Sequence, residues 1–375
     1  MINAVLLTDA GSKHLALQTN RQFMSSSGQW SGQTVLITGV CGTVGHELLK
    51  QLSVMGCERI VGIDNNETEL FFLSQTFAAQ PHVEVLLCDM RDGDNLKRLF
   101  RGVDIVLHAA ALKHVILCER SPRDAVATNV VGIMNVIDAA EANQVKRLLF
   151  TSSDKAVNPT NVMGTTKLMG ERLVTAAHAH GRDGKGTIFA STRFGNILGS
   201  RGSVVPLFRR QIQQGLPVTL TDPEMTRFVM TLKEAVSLVI ESTFMARGGE
   251  VFVTKMPVAR IADLASVLIE KLAPVYGRRA EDIELRVVGV KAGEKMYEEL
   301  MNEEEVRRTV ELDRYFAVLP AFKGAYRSIS YEYGDVVSDK VTNPYNSSIE
   351  PALGRQELAE YLMTHGVLEE SACEF

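Results

Sequence analysis

Three glycines, at positions 39, 42 and 45, sit where a short apolar run gives way to helical spacing: Thr38-Gly39-Val40-Cys41-Gly42-Thr43-Val44-Gly45. Such a stretch lets the backbone turn tightly and presents free N–H groups at a helix N-terminus, which favours an anion such as a pyrophosphate. By itself the spacing also fits a plain strand-to-helix turn. The next apolar run ends on Asp64, near the ~20-residue interval at which an acid hydrogen-bonds an adenosine ribose. Asp64 would repel a 2′-phosphate, so NAD is expected over NADP; its bland alternative is a helix cap, with Glu67 three residues on. Cys88-Asp89-Met90 closes the third run, where adenine would lie. His108-Ala109-Ala110-Ala111 closes the fourth, and its small side chains would admit a cofactor's middle section. Asp154 and Lys155 stand together after the fifth run. By residue type alone, that pair is a surface ion pair worth little.

The elements that must carry these residues are regular. Apolar runs at Thr34–Thr38, Arg59–Ile63, Val83–Leu87, Asp104–His108, Leu148–Ser152 and Gly186–Arg193 alternate with helical stretches at Gly45–Met55, Asp124–Ala142 and Val162–Ala179. Strand and helix in alternation predict an α/β fold, a doubly wound parallel sheet of the Rossmann type, binding its ligand at the strands' carboxyl ends. After about residue 195 turn signals break the alternation, with helices expected at Leu232–Phe244 and Arg355–Thr364. The expected organisation is an N-terminal arm or leader over 1–31, mainly an NAD-binding domain over 32–195, and mainly a smaller C-terminal substrate-binding lobe with a tail over 196–375.

Composition excludes several classes. The 375 residues carry a net charge of −5, which gives no electrostatic case for nucleic acid or an anionic membrane surface. Five scattered cysteines without a C-x-x-C pair argue against a disulfide framework or a metal site and suit a reducing cytoplasm. No apolar run is read as reaching the ~18–20 residues of a membrane helix, and the N-terminus lacks the order of a signal peptide. A cytoplasmic protein without membrane insertion is expected.

The glycine motif, the acid after the second strand and His-Ala-Ala-Ala after the fourth together resemble the extended short-chain dehydrogenase/reductase family. Four segments resemble its UDP-N-acetylglucosamine 4,6-dehydratases of bacterial polysaccharide synthesis: Ala110–Val115, Ser152–Pro159, Arg193–Asn196 with Ser200–Pro206, and Met225–Phe228. Lys291–Leu300 is a close fifth. The resemblance implies 4,6-dehydration of a UDP-N-acetylhexosamine with a nicotinamide cofactor recycled in each turnover. It implies Asp154 as the acid at O6, Lys155 as the base at C5, Ser153 at the C4 oxygen, and Lys167 at the nicotinamide ribose. Gly39, Gly42, Thr43, Val44, Gly45, Asp64, Asp89, Met90, Ala109 and Ala110 would hold the rest of the cofactor. Arg227 and Lys291 would grip the diphosphate, Glu294 the uridine ribose, while Lys113, Asn196, Val204 and Pro206 would line the nucleotide-sugar channel. A homo-oligomer is also implied.

One departure stands out. The family's Tyr-x-x-x-Lys register reads Met163-Gly164-Thr165-Thr166-Lys167, and a thioether cannot exchange a proton. A subgroup of the dehydratases resembles this chain in carrying Met there, and deprotonation of the sugar's 4-hydroxyl then falls to Lys155, Asp154 or a water. Lys255-Met256-Pro257 resembles the branch that inverts C5. A 4-epimerase and a non-catalytic NAD-binding protein remain as alternatives.

Overall fold

A computed structural model describes residues 28–180, 186–290, 293–322 and 329–369. β1 (Thr34–Thr38) is buried at every position, as a strand covered on both faces must be. It lies between β2 (Arg59–Asp64) and β4 (Ile105–His108); β3 (Val83–Leu87) flanks β2, while β5 (Arg147–Ser153) and β6 (Ile188–Phe194) follow β4. All these pairings are parallel, in the order β3-β2-β1-β4-β5-β6. The order reverses between β1 and β4, which is where a doubly wound sheet opens a ligand crevice.

The smaller sheets follow in chain order. β7 (Asn196–Ile197), β9 (Thr226–Met230) and β11 (Val258–Arg260) form one; β8 (Val218–Leu220) pairs with β12 (Leu285–Val287). β13 (Glu299–Met301) pairs with β17 (Tyr345–Asn346). The main sheet also gains β10 (Val251–Thr254), parallel to β6, and then antiparallel β15 (Tyr315–Val318), β14 (Thr309–Leu312) and β16 (Val336–Ser338). The C-terminal half therefore returns to complete the main sheet as well as building its own lobe. That lobe has a separate apolar core, with Phe208, Ile212, Leu264, Leu268 and Leu358 at its centre.

Local chemistry sets the helix ends. Thr231 and Glu234 form a reciprocal capping box at the start of Leu232–Met245, and Arg355–Thr364 forms where its spacing predicts. The helix expected over Asp124–Ala142 is interrupted: Pro122–Val126 and Gly132–Ala142 flank a π-helical turn at Ala127–Val131. Pro122–Ala142 as a whole is long and apolar enough to cross a membrane, contrary to the expectation of no such run, and 44% of its most apolar window is buried in the fold. The ordered fold also starts before residue 32. Trp30 is fully buried, edge-on to Phe244 at 5.0 Å, while residues 1–27 of the expected arm lie outside the described residues.

Arg193, at the end of β6, is buried between two carboxylates. It donates to Glu171 of helix Val162–His180 at 2.9 and 2.7 Å, to Glu305 at 2.8 and 2.7 Å, and to the Leu300 carbonyl at 2.9 Å. Three separate parts of the chain are thus held on one guanidinium. Removing one partner strands buried charge, at a typical cost of about 3–5 kcal/mol. Glu171→Ala should lose that much in a denaturant titration; a loss below about 1 kcal/mol, as for an exposed pair, would deny the cluster its structural role.

Candidate active site

At the nucleotide end, Gly39 has φ +70, and a Cβ there would sit 2.6 Å from the Ala110 backbone. The loop therefore closes against the end of β4 at a distance no side chain permits. Helix Thr43–Leu52 starts from Gly42 with no side-chain cap and no acid in its first turn, leaving N–H groups for an anion. Thr38 Oγ1 meets His108 Nδ1 at 2.7 Å and accepts from the Ala110 N–H at 3.2 Å, locking the two strand ends together. Burial pushes the His108 imidazole down to about 3, so it stays neutral.

Asp64 accepts from the Cys41 N–H at 3.0 Å and the Asn66 N–H at 3.1 Å. Its carboxylate thus faces the glycine loop, and the helix cap is Asn66, which accepts from Glu69. The third strand's end is less engaged. Asp89 is held by Arg91 at 2.9 and 2.5 Å, and Met90 is buried in the core beside Gly132. Neither they nor Asp64 line the cavity of about 500 Å³ that runs from Gly42–Gly45 past Ala109 to Ser153, Met163 and Lys167. On the wall of that cavity the buried Ser152 Oγ, Ser203 Oγ and Arg201 Nε lack partners among the described residues. Buried polar atoms are rarely left so. A glycine cradle, an uncapped helix start and three unsatisfied polar atoms fit a dinucleotide.

The reactive end follows β5. The Ser153 hydroxyl donates to Asp154 and accepts from the Lys155 N–H at 3.2 Å, closing the 3-10 turn Asp154–Ala156. Asp154 is no surface residue: its side chain is 1% exposed. Lys155 Nζ reaches Asp154 at 3.2 and 3.1 Å and, across the site, Glu298 at 3.3 Å. Helix Val162–His180 rests on this turn through Gly164, where a Cβ would meet the Lys155 carbonyl at 2.2 Å. Met163 beside it is 4% exposed, packed with Cys118 and Ala125, and still reaches the cavity wall. One turn on, Lys167 donates to the Thr151 carbonyl at 2.9 Å and stands 4.7 Å over the Phe150 ring. Burial pushes its ammonium down to about 8, against the opposing pull of Glu171.

A second cavity, of about 620 Å³, opens on the other side of the pair, lined by His114, Arg227, Glu294, Lys295 and Glu298. Both cavities have Asp154, Lys155 and Asn196 on their walls. Arg227 Nε lies 3.1 Å from Glu298, while its other nitrogens donate to the carbonyls of Thr226, Lys295 and Met296 at 2.7, 2.8 and 3.3 Å. Asn196 donates to Glu298 at 3.0 Å. A third hollow of about 310 Å³ extends from Asn196, Arg227 and Glu294 to Val204. Pro206, one turn into the helix begun by Val204, reaches none of these walls. Lys113 lies on the dinucleotide side, donating to the Arg201 carbonyl at 2.8 Å. Lys291 lies outside the described residues.

Three residues without an assigned role in the sequence reading matter here. Glu298 bridges Lys155, Arg227 and Asn196; its only signal was its place in the fifth segment. Lys295 donates to the Val157 carbonyl at 2.8 Å and so ties that segment to the reactive turn. Asn129, in the π-helical turn, accepts from Leu112 N–H at 2.8 Å and donates to the Leu112 carbonyl and Thr166 at 3.0 Å each. Irregular helical turns of this kind often serve functional sites.

Residues 35–320 match the family described as "Polysaccharide biosynthesis protein". Methanocaldococcus jannaschii has a relative named as an uncharacterized membrane protein, MJ1061, 47% identical over 80% of this chain and 89% of its own. A Campylobacter jejuni relative named UDP-N-acetylglucosamine 4,6-dehydratase (inverting) is 36% identical over 78% of this chain and 84% of its own. A Rickettsia canadensis relative named UDP-glucose 4-epimerase is 35% identical over 90% of this chain and 97% of its own. Among solved structures, Pen from Bacillus thuringiensis superposes with a TM-score of 0.83 at 37% identity, covering 90% of this chain and 99% of its own. With the β3-β2-β1-β4-β5-β6 sheet, the glycine cradle and the Ser-Asp-Lys turn, these matches show that the chain belongs to the polysaccharide biosynthesis protein family, in the dehydratase branch of the extended short-chain dehydrogenases/reductases.

Proposed function

We propose that the protein removes water across C5 and C6 of a UDP-N-acetylhexosamine, UDP-N-acetylglucosamine first among the candidates, leaving a 4-keto-6-deoxy sugar. The observation that carries this reading is the meeting of two cavities on one Asp–Lys pair whose carboxylate is buried. A bound NAD would supply the redox chemistry, taking hydride from C4 and returning it at C6. Asp64, turned toward the glycine loop, favours NAD over its phosphorylated form.

The residues account for the rest. Ser153 hydrogen-bonds O4, and Lys167 places a buried positive charge nearby as the C4 carbonyl forms. The O4 proton passes to water, because Met163 cannot take it. Asp154 and Lys155 share one proton; with it on Asp154, the neutral lysine takes the C5 proton while Asp154 protonates O6, which leaves as water. The shared proton then sits on Lys155. A proton from water on the opposite face of C5 replaces the one removed and balances the one lost from O4. Arg227 holds the diphosphate, and Glu294 reaches the uridine ribose. A copy-to-copy assembly of the chain is part of this reading.

The test is incubation with UDP-N-acetylglucosamine: a 4-keto-6-deoxy product is expected. An epimerised UDP-N-acetylhexosamine would favour the second reading, a 4-epimerase, which the Rickettsia relative supports. Lys155→Ala and Asp154→Asn should each lower kcat at least about a hundredfold, the scale of a lost general acid or base. Met163→Ala should cost less than either. Near-normal rates in both of the first two variants would remove the assignment.

Charge on Lys167 gives a pH dependence. Its folded value, about 8, lies below the 10.5 of a free lysine, so the cation is present at neutral pH and lost as pH rises through about 8. The kcat/KM profile should therefore fall on the alkaline side near there. Lys167→Arg, which does not deprotonate in this range, should retain some activity without that limb; an unchanged limb would assign it to another group.

Water on the opposite face implies inversion at C5, as the name of the Campylobacter relative also suggests. Lys255, part of the segment that first suggested inversion, pairs with Glu311 at 2.8 Å and lines neither cavity that meets at Asp154. It is no candidate for the proton donor. In D₂O the product should carry deuterium at C5 with inverted geometry, read from the methyl shift and nuclear Overhauser contacts. A D-xylo product would refute inversion and leave dehydration standing.

A further inference from the structure

Glu298 has one carboxylate and three side-chain donors aimed at it from three segments. Lys155 Nζ lies at 3.3 Å and Arg227 Nε at 3.1 Å, both on Oε1, while Asn196 Nδ2 lies at 3.0 Å on Oε2. The Glu298 side chain is only 7% exposed, so this is a desolvated crossing of charges and not a solvated contact. Its backbone is anchored as firmly. Glu298 N–H donates to Ser347 Oγ at 3.0 Å, the Ser347 N–H returns a bond to the Glu298 carbonyl at 2.9 Å, and Ser347 Oγ meets Thr226 Oγ1 at 3.0 Å. The strand pair β13–β17 begins at the next residue. Thr226 in turn precedes Arg227 on β9, which pairs with the β7 strand carrying Asn196. The carboxylate is therefore fixed to the frame that carries two of its three donors.

The geometry points to Glu298 as a positioning residue that joins the two halves of the site. We propose that it orients the Arg227 guanidinium for the substrate's diphosphate and holds the Lys155 amine beside Asp154, so that binding and acid–base alignment depend on one side chain. This inference rests on the roles proposed above for Lys155 and Arg227. Among the described residues, Lys155 otherwise has only its neighbour Asp154 to hold a long flexible stem. Arg227 keeps its three carbonyl contacts without Glu298 but loses the anchor on Nε. Misplacement of a catalytic group by about 1 Å can cost a hundredfold in rate.

The test uses the full chain with its bound cofactor. Glu298→Gln keeps the shape and removes the charge. At saturating UDP-N-acetylglucosamine its kcat should fall about ten- to a hundredfold, with KM raised less and cofactor content unchanged, while the melting temperature drops only as the loss of one buried charge requires. A merely structural residue would instead lower the melting temperature and cofactor content together, and that result, or an unchanged kcat, would overturn the proposal. Glu298→Asp, which keeps the charge but withdraws it by a methylene, should show the same pattern and guards against a folding failure of the first variant. UDP affinity supplies an arm independent of turnover. Glu298→Gln and Arg227→Lys should each weaken UDP, and the double variant should bind no worse than Arg227→Lys alone; additive losses would overturn the coupling. If the unmodified protein binds UDP but forms no keto sugar, the dehydratase reading fails while this cycle still decides whether Glu298 acts through Arg227.

Discussion

Helix Val162–His180 lies directly on the turn that holds Asp154 and Lys155, at a separation only Gly164 allows. Almost everything about the site depends on that contact. It sets Met163 against the dinucleotide-side cavity, brings Lys167 under the end of β5, and places Glu171 where Arg193 can bind it from β6. A wider spacing would uncouple the cation at position 167 from the strand end that carries Ser153. Because Glu171 and Arg193 are buried and paired, the helix cannot slide without breaking a salt bridge in a poorly solvated interior. The reactive turn is thus held from beneath by packing and by charge at once.

Charges at the mouth of the site are ordered along a line. Lys167 is buried on the dinucleotide side, Asp154 and Lys155 stand at the junction, and Glu298 and Arg227 lie on the other side. Alternating signs let each charge be desolvated with a partner, which single buried charges cannot tolerate. They also fix the direction of a ligand. On the reading proposed above, a diphosphate held at Arg227 puts the group beyond it across Asp154 and Lys155 toward the glycine cradle. The same constraint separates the pair from an exposed Asp–Lys contact, since the Asp154 side chain is almost fully buried while Lys155 is held between it and Glu298.

How much of this the sequence declared depends on the kind of physics involved. The alternation of apolar runs located the six strands of the nucleotide-binding sheet to within a residue or two, because burial on both faces leaves continuous apolar strands in all but the edge strand β3, which is only partly buried. Glycine spacing located the cradle, since only glycine tolerates the φ of residue 39. Composition did not show that β10, β14, β15 and β16 return to the main sheet, because short strands after turns look alike whichever sheet they join. Asp89 and Met90 were placed by order along the chain; Asp89 pairs with Arg91, and Met90 packs in the core beside Gly132. Glu298 was invisible for another reason. Its partners come from positions 155, 196 and 227, and no periodicity connects residues so far apart. Arg193 shows the converse: a motif residue whose contacts are all structural.

Met163 brings these strands of argument together. Its side chain is nearly buried and packed with Cys118 and Ala125, so the position where the wider family is expected to carry a tyrosine is filled by apolar contact. On the reading proposed above, such a site needs another way to order the sugar's 4-hydroxyl. Ser153 is held by its bond to Asp154 and by the Lys155 N–H, which leaves its oxygen one lone pair to accept the 4-hydroxyl proton. Lys167 stays charged below about pH 8 without a tyrosinate to neutralise it, because Glu171 opposes part of the burial cost. On that reading, the burden of stabilising negative charge at O4 passes from a proton acceptor to a fixed cation, Lys167. Preorganised groups of that kind act where charge develops and cost no reorganisation when it does. On the reading proposed above, the 4-hydroxyl gives its proton to water beside this cation, so the loss of tyrosine changes the route of one proton without removing the means to form the ketone.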